Sequence, residues 1–257
     1  PYLGWGQGDL AMTERYAEQL RNVGERFDLH DAIPGAAFFL GRASYERNQL
    51  DTAESELRRV IELRFATRPL FLAHSWMALV LTELAQGRGR NADATGSAMM
   101  QFVLAQRSEI LQPVAEAFMA ELDLRQGRSA AALRWAHTAD PDAPGSGYPL
   151  FFDAGPTLVH VLLSSDSEPD IVRGRMLLDR YFDAAELQHH HPLRLQLHGL
   201  RALDLANRGD EAGALDALRI AAMMSHDSRM IRRLADLGPA LIPLLHRLDV
   251  AGDLLLH

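Results

Sequence analysis

Three consecutive histidines, His189, His190 and His191, with His198 seven residues beyond, form the densest group of potential metal ligands in this sequence. Neutral imidazoles do bind zinc, nickel or copper, but neighbouring histidines in a connector point in different directions, and no cysteine or carboxylate completes a coordination geometry. The triplet therefore reads as a polar connector, and no metal site is expected. Acid–base chemistry is no better served. Glu54 and Glu56 stand two apart, a spacing that turns them away from each other on a helix, and the serines have no evident base beside them. Cysteine is absent and so is lysine, so all 26 cationic side chains are arginine. Thiol nucleophiles, Schiff bases and the phosphate-gripping lysine of nucleotide loops are thereby excluded, and no catalytic residue is expected.

Arg208-Gly209-Asp210 would suggest cell adhesion if it stood alone, but an isolated recognition loop has no reason to recur and this pattern does. Helix-breaking turn residues precede alanine-rich amphipathic runs at Gly8, Asn48, Gly87, Gly127 and Gly209, at intervals of 40, 39, 40 and 82. The last interval is two beats, with a turn expected near Glu168-Pro169. Five residues after each turn stand Thr13, Ala53, Ala92, Ala132 and Ala214, all small; nine and twelve after it no residue is charged. Offsets of three and four put these positions on one helical face. Eight before the turn stand Leu40, Leu79, Met119 and, as the exception, Arg201. Each beat is thus a helix, a tight turn and a second helix, and such a hairpin cannot bury its apolar face without a neighbour. Asp210 is then a helix cap, not a ligand.

The expected fold is a single all-α, right-handed α-α superhelix over residues 1–257, with about six hairpins of roughly forty residues. Beyond the first, which lacks most of its leading helix, the hairpins are expected over 31–65, 68–106, 109–139, 155–187 and 191–225. A terminal cap is expected within 229–257. Residues 140–155, with three prolines and three glycines, form an irregular loop, not a domain boundary, because the beat resumes in phase. Tyr148, Phe151 and Phe152 in that loop either fold over a bound ligand or plug the break between hairpins. The runs containing Arg58-Arg59 and Arg232-Arg233 are read as solvated faces.

In stacked hairpins the leading helices line the concave side. Counting back from the turns selects Phe38, Arg42, Tyr45 and Glu46 on the second hairpin, His74, Met77 and Leu81 on the third, Glu121 and Arg125 on the fourth, and Gln196 on the sixth. Of these, Phe38, Arg42, Tyr45, Glu46, His74, Met77, Glu121 and Gln196 are the candidate ligand-binding residues. An aromatic platform, a fixed cation and a carboxylate suit a small polar molecule or a peptide. Trp76 is expected between helices; Trp5, near the beginning of the chain, is not a strong ligand candidate.

At 47% hydrophobic, the 257 residues suffice for a real core. A net charge of −8 argues against a duplex nucleic-acid surface, which needs a basic face. The longest uncharged run, residues 69–82, is 14 residues long and falls short of the roughly 20 a membrane span requires. With no cysteine and no visible signal peptide, a cytoplasmic location is expected. The chain opens at Pro1 part-way through a structural unit, which suggests a piece of a longer polypeptide.

The stretches "LGRASYERNQLDTAESELRRVIEL", "AEAFMAELDLRQGRSAAALRWA" and "LRALDLANRGDEAGALDALRIAA" resemble the tetratricopeptide-like helical sensor region of the MalT-like, large ATP-binding LuxR-type transcriptional regulators. The closing "RMIRRLADLGPALIPLLHRL" is similar to the segment that ends that region. The resemblance covers nearly the whole chain. It implies an inducer-sensing and interaction region with no cofactor of its own. ATP and DNA would be handled by a nucleotide-binding module and a helix-turn-helix domain outside this sequence. The implied partners are a small-molecule effector or peptide, those two modules and a second copy of the chain. The alternative is a scaffold that binds proteins and no metabolite.

Overall fold

The forty-residue beat is visible in the backbone as a set of left-handed residues. Gly8, Gly87, Gly127 and Gly209 all have φ between 75° and 77°, and Asn48 has φ 60°. Glycine enters that region freely, and asparagine is among the few other residues that tolerate it. Each turn also closes the preceding helix with the same pair of hydrogen bonds. The turn residue's N–H donates to the carbonyl three back, and the next N–H donates to the carbonyl five back, at 2.8–3.0 Å in all five turns. This is the helix-ending motif that satisfies orphan carbonyls through an αL residue.

The computed structural model describes residues 1–142 and 152–250. Six hairpins follow one another: α1 (Tyr2–Gly6) with α2 (Leu10–Phe27), α3 (Ala32–Glu46) with α4 (Leu50–Glu62), and α5 (Pro69–Ala85) with α6 (Gly89–Gln106). After them come α7 (Leu111–Arg125) with α8 (Ser129–Thr138), α9 (Ala154–Leu163) with α10 (Glu168–Leu187), and α11 (His191–Asn207) with α12 (Glu211–Ser228). The cap comprises α13 (Ile231–Ala235), a 3-10 turn (Pro239–Leu241) and α14 (Ile242–Val250). No strand occurs among the described residues. The architecture is the all-α solenoid that the spacing predicts. None of its described helices is long and apolar enough to cross a membrane.

One boundary shifts. The fifth turn lies at residues 164–167, and Pro169 belongs to the first turn of α10, where its missing N–H has no intrahelical partner to lose. Of the irregular stretch 140–155, residues 143–151 lie outside the described residues, so the readings of Tyr148 and Phe151 do too.

Packing explains the sequence pattern. Thr13, Ala53, Ala92, Ala132 and Ala214, the small residues five past each turn, are all fully buried. A side chain at Gly41 would come within 2.8 Å of Leu57, so the two helices of the second hairpin cross closely there. Arg201, the charged exception in the series, is only half-buried: its guanidinium lies 4.2 Å from the Phe182 ring centre and pairs with Asp179.

An ion-pair ladder that the sequence reading did not pick out runs alongside the apolar seams. The acid six residues after a turn accepts an arginine from the turn of the following hairpin: Glu14 from Arg47 at 2.9 Å, Glu54 from Arg88, and Asp93 from Arg128 at 3.0 Å. These half-exposed pairs contribute a few tenths to about 1 kcal/mol each and fix the register of stacking more than its strength.

The superhelix brings its last hairpin and cap back to its first two hairpins. α1 touches α11, and α13 touches α3. At Gly8 the approach is so close that a Cβ would stand 2.3 Å from the His191 ring. A Cβ at Gly87, Gly127 or Gly209 meets nothing within 4 Å. Replacing any of these three with alanine therefore tests backbone strain alone and should cost about 1 kcal/mol. Gly8→Ala adds a collision to the same strain and should lower the melting temperature distinctly further. Equal losses at Gly8 and Gly127 in thermal melts would show that the two ends of the chain do not meet.

Candidate functional site

The inner faces of α3 and α7 each carry one ion pair at helical spacing. On α3, Arg42 Nη2 lies 3.2 Å from Glu46 Oε1, with Tyr45 beside them; on α7, Arg125 Nε lies 2.7 Å from Glu121 Oε1. From α9, Thr157 donates its hydroxyl proton to Glu121 Oε2 at 3.1 Å, and His160 Nδ1 stands 3.9 Å from the same oxygen. A third pair enters from the cap, where Arg232 and Asp236 are joined across one turn.

These pairs interlock. Asp236 Oδ2 lies 3.2 Å from Arg125 Nη1 and accepts a short hydrogen bond from the Tyr45 hydroxyl. Arg233 Nε lies 3.0 Å from Glu46 Oε1, and its Nη1 donates to the Gln196 side-chain carbonyl at 3.2 Å. Trp5 is fully buried between two guanidinium groups, with Arg42 5.2 Å and Arg233 5.6 Å from its ring centre. These distances permit cation–π attraction in a desolvated setting.

Burial and neighbouring charge set the protonation states. Burial, with Arg233 adding to it, lowers Arg42 to about 10 against the attraction of Glu46. Tyr45 is pushed well up by burial and by Asp236, so its hydroxyl stays a donor. Burial alone would raise Glu121, but Arg125 and His160 outweigh it and hold the carboxylate far below its usual range. His74 falls to about 3 through burial and the nearby Arg42, and remains neutral. Asp153, whose side chain accepts the Gly155 N–H at the start of α9, rises to about 6 through burial, opposed by that N–H and by Arg233. The result is a set of fixed ions and hydrogen-bonding groups.

The spacing argument brings together five of its eight candidates. Arg42, Tyr45, Glu46, Glu121 and Gln196 all line one central cavity, as do Leu81 and Arg125. The other three do not line it. Phe38 packs edge-on against Phe39 and Phe71, Met77 is buried in the apolar core, and His74 is enclosed behind Arg42. The groove itself differs from the expectation, being filled by the cap and not open. Its central cavity measures about 30 Å³, and a neighbouring one under Trp5 about 20 Å³. Each has room for a water or two and not for a metabolite.

Sequence reasoning missed Trp5, Asp153, Arg233 and Asp236, which line these same two cavities together with Phe152, one of the loop aromatics it did single out. Phe152 packs edge-on against Phe118 at 5.1 Å, which makes it a plug at the end of the irregular stretch. The one signal for the cap was the four-residue spacing of Arg232 and Asp236, matching that of Arg42 and Glu46. Among the described residues, no group of His, Cys, Asp or Glu could hold a metal ion. His190 Nδ1 instead accepts the Leu193 N–H and caps α11, and His198 packs against the Phe182 ring.

Asp153 provides a pH test. Its folded-state pKa of about 6 lies above the unfolded value, so the folded protein carries a cost above pH 6 that disappears below about pH 4. Asp153→Asn keeps the capping acceptor and removes the charge. It should raise the melting temperature by a few degrees at pH 7.5 and give no gain at pH 4. A gain of the same size at both pH values would remove the buried carboxylate from this account.

A comparison with curated proteins gives no match. The repeat, the closing segment and the stacked hairpins agree instead with one family model, described as the MalT-like TPR region, which matches residues 2–251. The chain belongs to the MalT-like TPR region family.

Proposed function

We propose that the chain is the effector-sensing and protein-interaction region of a LuxR/MalT-type transcriptional regulator, with a small-molecule inducer bound in or near the concave interior. Nucleotide and DNA chemistry then fall to an ATPase module and a helix-turn-helix domain of the same polypeptide, in the cytoplasm. Effector binding would change how the solenoid packs against those modules or against a second copy.

The observation that carries this reading is the interlocked polar interior. A solenoid axis can be filled with leucine at no desolvation cost. Ion pairs taken out of water contribute little net stability, and replacing them with apolar residues is often neutral or stabilising. Their presence at the point where six elements converge fits recognition better than support.

A second reading has its own support. Phe27, Leu63, Phe65, Leu104 and Ile110 are exposed where α2, α4 and α6 end, along one rim of the superhelix. Exposed apolar rows of this kind serve protein contacts, as expected of a scaffold that binds no metabolite.

A thermal-shift screen of sugars, organic acids, amino acids and aromatic compounds tests the first reading. One chemical class should raise the melting temperature by several degrees, since a ligand at 100 times its Kd adds about 2.7 kcal/mol to folded-state stability. Silence across all classes, with partner capture abolished by Phe65→Asp, would favour the scaffold.

A further inference from the structure

The cap is held differently on its two sides. Toward its own end of the chain it is seated by apolar contact: Leu234 and Leu237 press on Gly199, where a Cβ would lie 3.2 Å and 2.3 Å from them, and Met230, Leu241 and Leu244 are buried. Toward α3 and α7 it presents Arg232, Arg233 and Asp236. The receiving side stays charge-balanced without the cap, because Glu46 has Arg42 and Arg125 has Glu121. Arg232 and Asp236 likewise balance each other. Withdrawing the cap leaves Glu46 and Arg125 with their own partners, while Arg233, whose carboxylate lies across the seam, departs with the cap and Asp153 loses its attraction; stranding a lone charge is what makes breaking a buried ion pair costly. Beside this contact, two adjoining open clefts of about 610 and 830 Å³ run between the first two hairpins and the last hairpin and cap, lined by Arg47, Gln49, Asp227, Arg229 and Leu234.

We infer that this polar seam is an exchangeable joint. The site beneath it recognises a compound that carries a carboxylate and a guanidinium or ammonium group, and Asp236 and Arg233 stand in for those two groups. The carboxylate seat is Arg125 Nη1, at 3.2 Å, with the Tyr45 hydroxyl. The cation seat is Glu46 Oε1 at 3.0 Å, the Gln196 carbonyl at 3.2 Å and the face of Trp5. Both seats are largely removed from water: the Asp236 side chain is 8% exposed and that of Arg233 14%. Residues three apart on a helix project to neighbouring points about 5–6 Å apart at Cβ. A compound of amino-acid or dipeptide length spans that distance, whereas a lone anion or lone cation satisfies one seat only. The inference rests on the sensing role proposed above and specifies its ligand class.

Hydrogen exchange on the intact protein tests the joint, with L-arginine as the probe and agmatine and acetate as its two halves. In 10 mM L-arginine, exchange across residues 229–238 should accelerate several-fold while α5 is unchanged, and neither half-probe should do the same. Calorimetry on Arg233→Gln/Asp236→Asn, which removes both cap charges and so weakens the cap's hold on the two seats, should show L-arginine binding at least tenfold tighter than to the intact protein. Adding Glu46→Gln should abolish that binding. Unchanged exchange at 229–238 overturns the proposal, as does a folded double variant that gives no heat with L-arginine. If the double variant does not fold, exchange on the intact protein decides alone. A metabolite hit in the thermal screen with no response at 229–238 removes this site and leaves the sensing role. Silence in both experiments removes the two together.

Discussion

A helical hairpin has an apolar face on each side and can cover only one of them with itself, so it must stack. In this chain the alanine or threonine five residues past each turn sets how closely, because a larger residue there would hold successive helices apart. All five are fully buried, and the turns preceding them share one backbone geometry. Repeating one close approach with one turn geometry fixes the pitch and curvature of the stack. The meeting of the cap with α3 follows from that curvature and needs no long-range pairing signal of its own. The ladder from Arg47, Arg88 and Arg128 to the preceding hairpins keeps the stack in register while adding little to its strength.

That separation of roles accounts for which parts were legible. Hairpins, turns and cap could be read because each depends on residues a few positions apart, and periodicity reports such relations directly. The inward set Arg42, Tyr45, Glu46, Glu121 and Gln196 was legible for the same reason. Phe38 and Met77 share the spacing but turn into the seam between hairpins, because a leading helix in a solenoid is buried on more than one side and a single face count cannot divide groove from core. Trp5, Arg233 and Asp236 were not legible as site residues. They reach the interior only because the superhelix closes, and Tyr45 and Asp236 stand 191 positions apart in the chain.

The interior also shows why so many arginines can be buried together. Arg42, Arg125, Arg232 and Arg233 face Glu46, Glu121, Asp153 and Asp236, and three of the pairings are made within a single helix across four residues. A pair formed within one helix needs no tertiary contact to bring its members together. Its members arrive partly neutralised, so docking one pair on another costs less than burying separate ions. Guanidinium groups suit this arrangement, since a planar fork can satisfy one carboxylate within the helix and another across the interface. Arg125 does so with Glu121 and Asp236.

Such an interior couples closure to occupancy. The cavities at the polar seam have room for a water or two, so a larger molecule seated at that seam must bind a conformation in which the cap has moved, and its apparent affinity is reduced by the fraction of molecules in that state. An apolar seam would make that fraction very small, because opening it would expose leucine to water. A seam in which Arg42–Glu46, Arg125–Glu121 and Arg232–Asp236 each stay paired on their own side lowers the cost, because these groups gain hydration when parted. The cap packs on the last hairpin through Gly199, Leu234 and Leu237, and α11 in turn touches α1. If occupancy at the centre displaces the cap, whatever binds the cap or the last hairpin with different affinity in the two states must also change the affinity at the centre.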